Sequence, residues 1–129
     1  MHFFLPLLMS FLLCSFSLEI LAVDASSTAY IPSVKTPLVS QSLLLDITTV
    51  GQVKLVAVGE HGHIIWSTDG VNWQQASVPV QTTLTNVFFY NETLGWAVGH
   101  DATILHSQDG GLTWQVQLYK PTLEKPLLN

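Results

Sequence analysis

The chain of 129 residues contains no arginine, and its permanently basic side chains are four lysines. Beyond residue 25 these lysines are outnumbered by seven acidic residues, which gives a net charge of −3 at neutral pH. A mildly acidic chain without basic clusters is not expected to bind nucleic acid or an anionic lipid surface. The lack of arginine also excludes any site that must hold a carboxylate with paired guanidinium groups.

Cysteine is nearly absent as well, since Cys14 is the only one. It lies in an apolar run, residues 3–16, which is shorter than the roughly 20 residues of a membrane-spanning helix. Small residues follow at Ala22 and Ala25, so we predict a cleavable signal peptide over residues 1–25 and an exported protein, periplasmic or secreted. After cleavage no thiol and no membrane-inserted segment would remain, which excludes a disulfide framework.

The most informative feature of the sequence is an internal repeat. Residues 56–73 (VAVGEHGHIIWSTDGVNW) recur as residues 96–114 (WAVGHDATILHSQDGGLTW). Aligned positions such as Gly59 and Gly99 lie 40 residues apart, and Gly111 is an extra residue in the second copy. A period of this length indicates a repeat architecture in which each unit is one supersecondary module.

Each copy has the pattern of four short strands. The strands are apolar, β-branched runs that glycine-containing or polar turns separate. In the first copy they are predicted at residues 43–49, 54–59, 63–66 and 73–78. In the second copy they are predicted at residues 84–90, 95–99, 103–106 and 114–118. We therefore predict an all-β fold with two four-stranded antiparallel blades of an incomplete β-propeller.

The predicted domain organisation follows from these units. Residues 26–42 contain two prolines and no sustained period, which predicts an extended lead-in along the first blade. The partial propeller then covers residues 43–129. It is divided into a blade at residues 43–80, a blade at residues 83–119 and the start of a third blade at residues 120–129.

Two blades alone are expected to leave apolar sheet faces uncovered, because each repeat buries its faces against its neighbours. Val56, Val58, Val98 and Ile104 are the side chains that we expect to be exposed in this way. The same reasoning predicts that the chain can self-associate through its open blade faces.

The loop after the third strand of each copy carries the most specific motif. Residues 107–114 (SQDGGLTW) match the Asp-box, or bacterial neuraminidase repeat, pattern S-x-D-x-G-x-T-W, and residues 67–73 (STDGVNW) are a shorter variant. Aspartate and serine can accept hydrogen bonds from loop amides, glycine permits positive φ, and tryptophan can fill the space between sheets. The predicted structural Asp-box residues are Ser67, Asp69, Gly70, Trp73, Ser107, Asp109, Gly111, Thr113 and Trp114.

Over residues 43–129 the chain resembles the photosystem II assembly and stability factor-like family of Asp-box propellers. The run from GWAVGH to ILHSQDGGLTW is the most specific part of the resemblance. It implies a seven-bladed propeller, exported to the periplasm or, in a photosynthetic organism, to the thylakoid lumen. It further implies a scaffold without catalytic residues, metal or cofactor, which binds protein partners during assembly of a membrane or envelope complex. The basic patch of the photosynthetic members has no arginine here to form it.

The alternative function is that of a carbohydrate-binding or sialidase-like glycoside hydrolase propeller, because those proteins share the Asp-box. Such hydrolases need an arginine triad and a tyrosine nucleophile with carboxylate help. The chain lacks arginine, and its three tyrosines have no partner motif. A lectin would instead use an exposed aromatic platform, for which Trp66 is the candidate.

A metal site is a further alternative at one rim of the blades. The possible ligands are Glu60, His61, His63, His100 and Asp101. A His-x-His pair on a strand can place both rings on one face. However, His61 and His100 fall in predicted hairpin turns, where solvated polar residues are expected, and His63 aligns with Thr103. We therefore predict no metal site.

Overall fold

The computed structural model describes residues 30–121, which form two four-stranded antiparallel sheets one after the other along the chain. Blade 1 consists of β1 (Leu44–Val50), β2 (Lys54–Gly59), β3 (Ile64–Ser67) and β4 (Gln74–Gln75). Blade 2 consists of β5 (Leu84–Phe89), β6 (Gly95–Gly99), β7 (Thr103–Ser107) and β8 (Gln115–Leu118). In both sheets the strands pair in sequence order, and the predicted all-β fold of two blades is confirmed.

Helical structure in the described part of the chain is limited to two short 3-10 turns, Val39–Gln41 and Glu60–Gly62. No helix within residues 30–121 is long and apolar enough to cross a membrane. The predicted signal peptide lies outside the described residues, as does the predicted third blade from residue 122 onward.

The two blades share their strand register. Each innermost strand has a bulge at the same place, between Leu44 and Asp46 in blade 1 and between Leu84 and Asn86 in blade 2. Opposite the bulges lie the repeated glycines. A Cβ atom on Gly59 would come within 2.0 Å of the Leu43 carbonyl oxygen, and one on Gly99 within 2.1 Å of the Thr83 carbonyl oxygen. The backbone therefore approaches too closely for any side chain at these positions.

A single core joins the two blades. Blade 1 contributes Val56, Val58 and Ile64, which are all fully buried. Blade 2 contributes Val87, Ala97, Leu105 and Trp114. The expectation that Val56 and Val58 would be uncovered is therefore wrong, because the face of blade 1 that carries them packs on blade 2. For Val98, which is 38% exposed, the expectation holds, and Ile104 is half-buried.

The outer strand of blade 1 is shorter than the predicted run of residues 73–78. β4 ends at Gln75, the backbone N–H of Ala76 still donates to the Ile64 carbonyl oxygen at 2.9 Å, and Ser77 then forms an isolated parallel bridge to Thr113 of blade 2. Ala76, Val78 and Val80 are buried in the core between the blades. The strand is therefore shorter than predicted because the backbone changes its pairing partner from β3 to blade 2 at Ser77.

The lead-in segment covers part of the other face of blade 1. Val39 is buried there against Ala57 and Ile65. Before that turn, the backbone N–H of Ser33 donates to the carbonyl oxygen of Val78 at 2.9 Å. The side chain of Gln75 in β4 links the lead-in to the sheet, because Gln75 Nε2 donates to the carbonyl oxygen of residue 34 at 2.9 Å.

Candidate functional site

The Asp-box loop of blade 1 is closed around one carboxylate. Oδ1 of Asp69 accepts hydrogen bonds from the backbone N–H of Val71 at 2.9 Å, from the backbone N–H of Asn72 at 2.7 Å and from the Ser67 hydroxyl at 2.9 Å. Oδ2 accepts one from the Asn72 side-chain amide at 2.8 Å. The Ser67 Oγ in turn accepts the Gly70 N–H at 2.9 Å. Both oxygens of the carboxylate are therefore used within the loop.

The longer loop of blade 2 repeats this network. Oδ1 of Asp109 accepts the Ser107 hydroxyl at 2.9 Å, the Leu112 N–H at 3.1 Å and the Thr113 N–H at 2.9 Å, while Oδ2 accepts the Thr113 hydroxyl. The Ser107 Oγ accepts the Gly111 N–H at 2.9 Å. In each Asp-box the predicted serine, aspartate and glycine therefore lie together in one loop, and the predicted tryptophan follows at the end of that loop.

Asn72 takes the place of Thr113 in the shorter loop, and it was missing from the predicted set. Both side chains donate to Oδ2 of their Asp-box aspartate, one from an amide and one from a hydroxyl. The signal lay in the alignment, because each residue directly precedes the tryptophan of its copy. The two glycines have the positive φ angles that these turns require, +72° at Gly70 and +91° at Gly111. Residues with a side chain are strained at such angles.

The hydrogen bonds keep both Asp-box carboxylates ionised. They lower the pKa of Asp69, with the backbone N–H and the side chain of Asn72 as the largest causes. At Asp109 burial is the largest influence and raises the pKa. The hydrogen bonds from Thr113, Ser107 and Leu112 together outweigh it, so the net pKa lies below its ordinary value. The lowered pKa values favour the ionised form of both carboxylates, which is the form that accepts the loop hydrogen bonds.

The two Asp-box tryptophans have different surroundings. Trp114 is only 4% exposed, its Nε1 donates to the Gly111 carbonyl oxygen at 3.0 Å, and its ring meets that of Phe89 edge-on at 5.9 Å. Trp73 is half-buried and packs beside Ala57 and Ile65 on the face of blade 1 that points away from blade 2. Only Trp114 is enclosed between the two described sheets.

Hydrogen bonds to side chains also join the blades. The carboxylate of Asp46 accepts the backbone N–H of Val87 at 2.9 Å, and Lys54 Nζ donates to the carbonyl oxygen of Gly110 at 2.8 Å. The first contact joins β1 to β5, and the second holds the blade 2 Asp-box loop against blade 1. Asp46 lies 40 residues before Asn86 and is its counterpart in the repeat, but the repeat does not predict the partners across the junction.

The residues considered for a metal site are not assembled into one. The rings of His61 and His63 lie 5.8 Å apart, and His63 Nδ1 is 3.1 Å from the hydroxyl of Ser42 in the lead-in. Burial, and then the neighbouring His61, lowers the pKa of His63. Within residues 30–121 no three histidine, cysteine or acidic side chains form a group that could hold a metal ion.

The lectin candidate Trp66 is not a free aromatic platform. It is half-buried, it packs against the core between the blades, and Lys54 Nζ lies 6.0 Å from its ring centroid. Of the tyrosines, Tyr30 and Tyr119 pack against each other with ring centroids 5.7 Å apart. The geometry at these aromatic residues is that of packing rather than of a sugar-binding surface.

Part of the chain matches a known protein family. Residues 65–125 match the model of a family described as photosynthesis system II assembly factor YCF48. Over this range the chain is similar to photosystem II assembly factors of the YCF48 type. The matched range begins in β3 and contains the whole of blade 2.

The chain matches only part of the length of its curated relatives. The photosystem II assembly protein Ycf48 of Synechococcus sp. (strain JA-3-3Ab) is 53% identical over 49 residues, which are 36% of this chain and 15% of that protein. Ycf48 of Thermosynechococcus vestitus is 35% identical over 43 residues, 33% of this chain and 12% of the relative.

A solved structure, YCF48 bound to D1 peptide, has the same fold as the two blades. It superposes with a TM-score of 0.56 at 22% sequence identity, over 74% of this chain and 31% of that chain. The chain thus spans about a third of the solved propeller and a smaller share of the cyanobacterial relatives.

Proposed function

We propose that the chain is part of an exported, non-catalytic propeller scaffold that binds protein partners during assembly of a membrane or envelope complex. The similarity of residues 65–125 to the YCF48 family carries this proposal. A relative of the same fold has been solved with a D1 peptide bound to it. We take the partner of this chain to be a peptide segment of a membrane protein as well.

The Asp-box geometry supports a structural role over a catalytic one. The carboxylates of Asp69 and Asp109 use both of their oxygens to close their own loops. A glycoside hydrolase would need carboxylates directed at a substrate, together with arginines that the sequence does not contain. The aspartates therefore shape hairpins, and the glycosidase alternative is disfavoured.

Binding can be tested with the purified full chain and a fluorescently labelled D1 peptide. We expect the fluorescence anisotropy of the labelled D1 peptide to rise and saturate as the chain is added. The anisotropy of a labelled scrambled peptide of the same composition should not change. In a parallel assay a fluorogenic sialoside should not be hydrolysed. Equal binding of both peptides, or sialoside turnover that Asp109→Ala removes, would contradict a protein-binding scaffold.

The proposed export rests on residues 1–25 and needs a separate test. We suggest fusing alkaline phosphatase, which is active only after export, behind residue 29. Activity is expected for the fusion and should be lost when residues 3–16 are deleted. An active enzyme without these residues would contradict the signal peptide, although the binding experiment would be unaffected.

A further inference from the structure

The lead-in is bound to blade 1 through its backbone, in the way that an extended peptide is bound. The backbone N–H of Ser33 donates to the Val78 carbonyl oxygen at 2.9 Å. The side-chain amide of Gln75 pairs with the lead-in on both sides of residue 35. Its Nε2 donates to the Val34 carbonyl oxygen at 2.9 Å, and its Oε1 accepts the N–H of Thr36 at 3.0 Å. Because these contacts use main-chain groups of the bound segment, they do not depend on its side chains.

A single aliphatic side chain of the lead-in supplies the apolar anchor. Val39 is 6% exposed and is buried against Ala57 and Ile65, with Trp73 beside them. Three other aliphatic side chains of the segment are at least 60% exposed, namely Ile31, Val34 and Leu38. The surface therefore recognises an extended backbone and one aliphatic residue, which lies three positions after Thr36.

The lead-in does not fill the surface on which it lies. An open cavity of about 510 Å³ is lined by residues 35–37 and Val39 of the lead-in and by residues 73–75 of blade 1. Filling this cavity with apolar atoms would remove further apolar surface from water, including that of Trp73. A segment with larger side chains can thus make more contacts here than the lead-in does.

The lead-in is also held beyond its anchor, at the turn Glu60–Gly62 and the residue after it. The hydroxyl of Ser42 lies 3.1 Å from His63 Nδ1, and the N–H of Leu43 donates to Glu60 Oε1 at 2.9 Å. Residues 33–39 can leave the sheet while these contacts keep the chain attached. A competitor on so short a tether acts at an effective concentration on the order of millimolar.

We propose that the surface under residues 33–39 is a site for an extended partner peptide and that the lead-in is its internal competitor. The peptide that fits has an aliphatic side chain three residues after the one whose N–H meets Gln75. This inference rests on the proposed function, because it assigns a surface to the peptide partner suggested there. It needs no uncovered sheet face, since the lead-in itself covers the surface in the structure.

The experiment uses the full chain and two fluorescently labelled probes, a peptide with the sequence of residues 31–41 (the lead-in peptide) and the D1 peptide. Val39→Ser weakens docking of the chain's own lead-in and leaves the surface intact. Val34→Ser is the matched control, because Val34 is 64% exposed in the same segment. Gln75→Ala, added to Val39→Ser, removes the side chain that binds the peptide backbone. Melting curves show whether each variant is folded, and Val39→Ala replaces Val39→Ser if it is not.

The expected result follows from the anchor. Burial of a valine side chain corresponds to a preference of about 10- to 100-fold for the docked lead-in. We therefore expect Val39→Ser to bind the lead-in peptide about 10- to 100-fold more tightly than the unsubstituted chain, whereas Val34→Ser should not differ from it. The D1 peptide should gain affinity for the same variant and should be displaced by unlabelled lead-in peptide. Gln75→Ala should reverse most of the gain.

Failure of this inference differs from failure of the proposed function. If the lead-in peptide does not bind Val39→Ser, or if Val34→Ser gains as much affinity, the inference is overturned. It is also overturned if the D1 peptide binds all variants equally and the lead-in peptide does not displace it, although the scaffold function then stands. If the lead-in peptide binds Val39→Ser as expected and the D1 peptide binds no variant, the surface is a peptide site and the proposed partner is contradicted.

Discussion

The carboxylate of Asp46 and the backbone N–H of Val87 form a 2.9 Å hydrogen bond between the innermost strands of the two blades. Asp46 is half-buried, so loss of the acceptor would leave a shielded N–H without a partner. We expect Asp46→Ala to lower the free energy of unfolding by about 1–3 kcal/mol. Urea unfolding followed by tryptophan fluorescence measures this change.

Asp46→Asn is the matched control, because asparagine retains a side-chain oxygen and is the residue that blade 2 carries at this position, Asn86. It should recover most of the stability lost in Asp46→Ala. If both variants were equally destabilised, the negative charge rather than the acceptor would be the important property.

The two Asp-box tryptophans should differ in their contribution to stability. Trp114 is enclosed between the blades, and truncation to alanine leaves a cavity, so we expect Trp114→Ala to cost about 3–5 kcal/mol. Trp73 is half-buried on the open side of blade 1, and Trp73→Ala should cost less than half as much. Thermal unfolding of both variants gives the comparison. Similar losses would mean that something encloses Trp73 in solution as completely as blade 1 encloses Trp114.

The Asp-box serine is expected to matter through its buried oxygen. Ser107 Oγ accepts the Gly111 N–H and donates to Asp109, and the residue is almost fully buried. We expect Ser107→Ala to cost about 1–3 kcal/mol, because the N–H at Gly111 would lose its partner. Thr113→Ala, at an exposed position of the same loop, should cost less. The opposite order in urea unfolding would show that the hydroxyl of Thr113 is the more important donor.

The strand pairing was predictable because it depends on local patterns. Both blades are predicted by the period of 40 residues, the turn residues and the apolar runs. The Asp-box motif predicts which residues lie in each loop. Alternation along a strand shows that a residue such as Val56 lies on one face and Ala57 on the other. It does not show which face meets the neighbouring blade, and this is why the exposure of Val56 and Val58 was predicted wrongly.

Contacts between distant segments were harder to predict. The end of β4 at Gln75 accompanies the bridge from Ser77 to Thr113 of blade 2, which the sequence of blade 1 alone does not show. The same is true of Lys54, whose ammonium group reaches the Gly110 carbonyl in the other blade. Asn72 could have been found, since the alignment already set it beside Thr113.

Stability should also depend on pH through His63. The pKa of His63 lies below its ordinary value, chiefly because the ring is buried and also because His61 is near, although Glu60 and the backbone of Val34 act in the opposite direction. In the unfolded chain the pKa of this residue is about 6.5. As the pH falls, the unfolded state therefore binds a proton at His63 before the folded state does. The contribution of His63 to stability is therefore complete above about pH 6.5 and is lost below it, by at most about 1.4 kcal/mol per pH unit.

Urea unfolding between pH 8 and pH 5 tests this dependence. His63→Gln should be less stable at pH 8, because the ring contacts the lead-in at Ser42, but its stability should fall less between pH 7 and pH 5. His100→Gln is the control, since His100 is exposed in the equivalent turn of blade 2 and should leave the pH profile unchanged. An unaltered slope in His63→Gln, or a flattened one in His100→Gln, would contradict the assignment of this pH dependence to the buried ring.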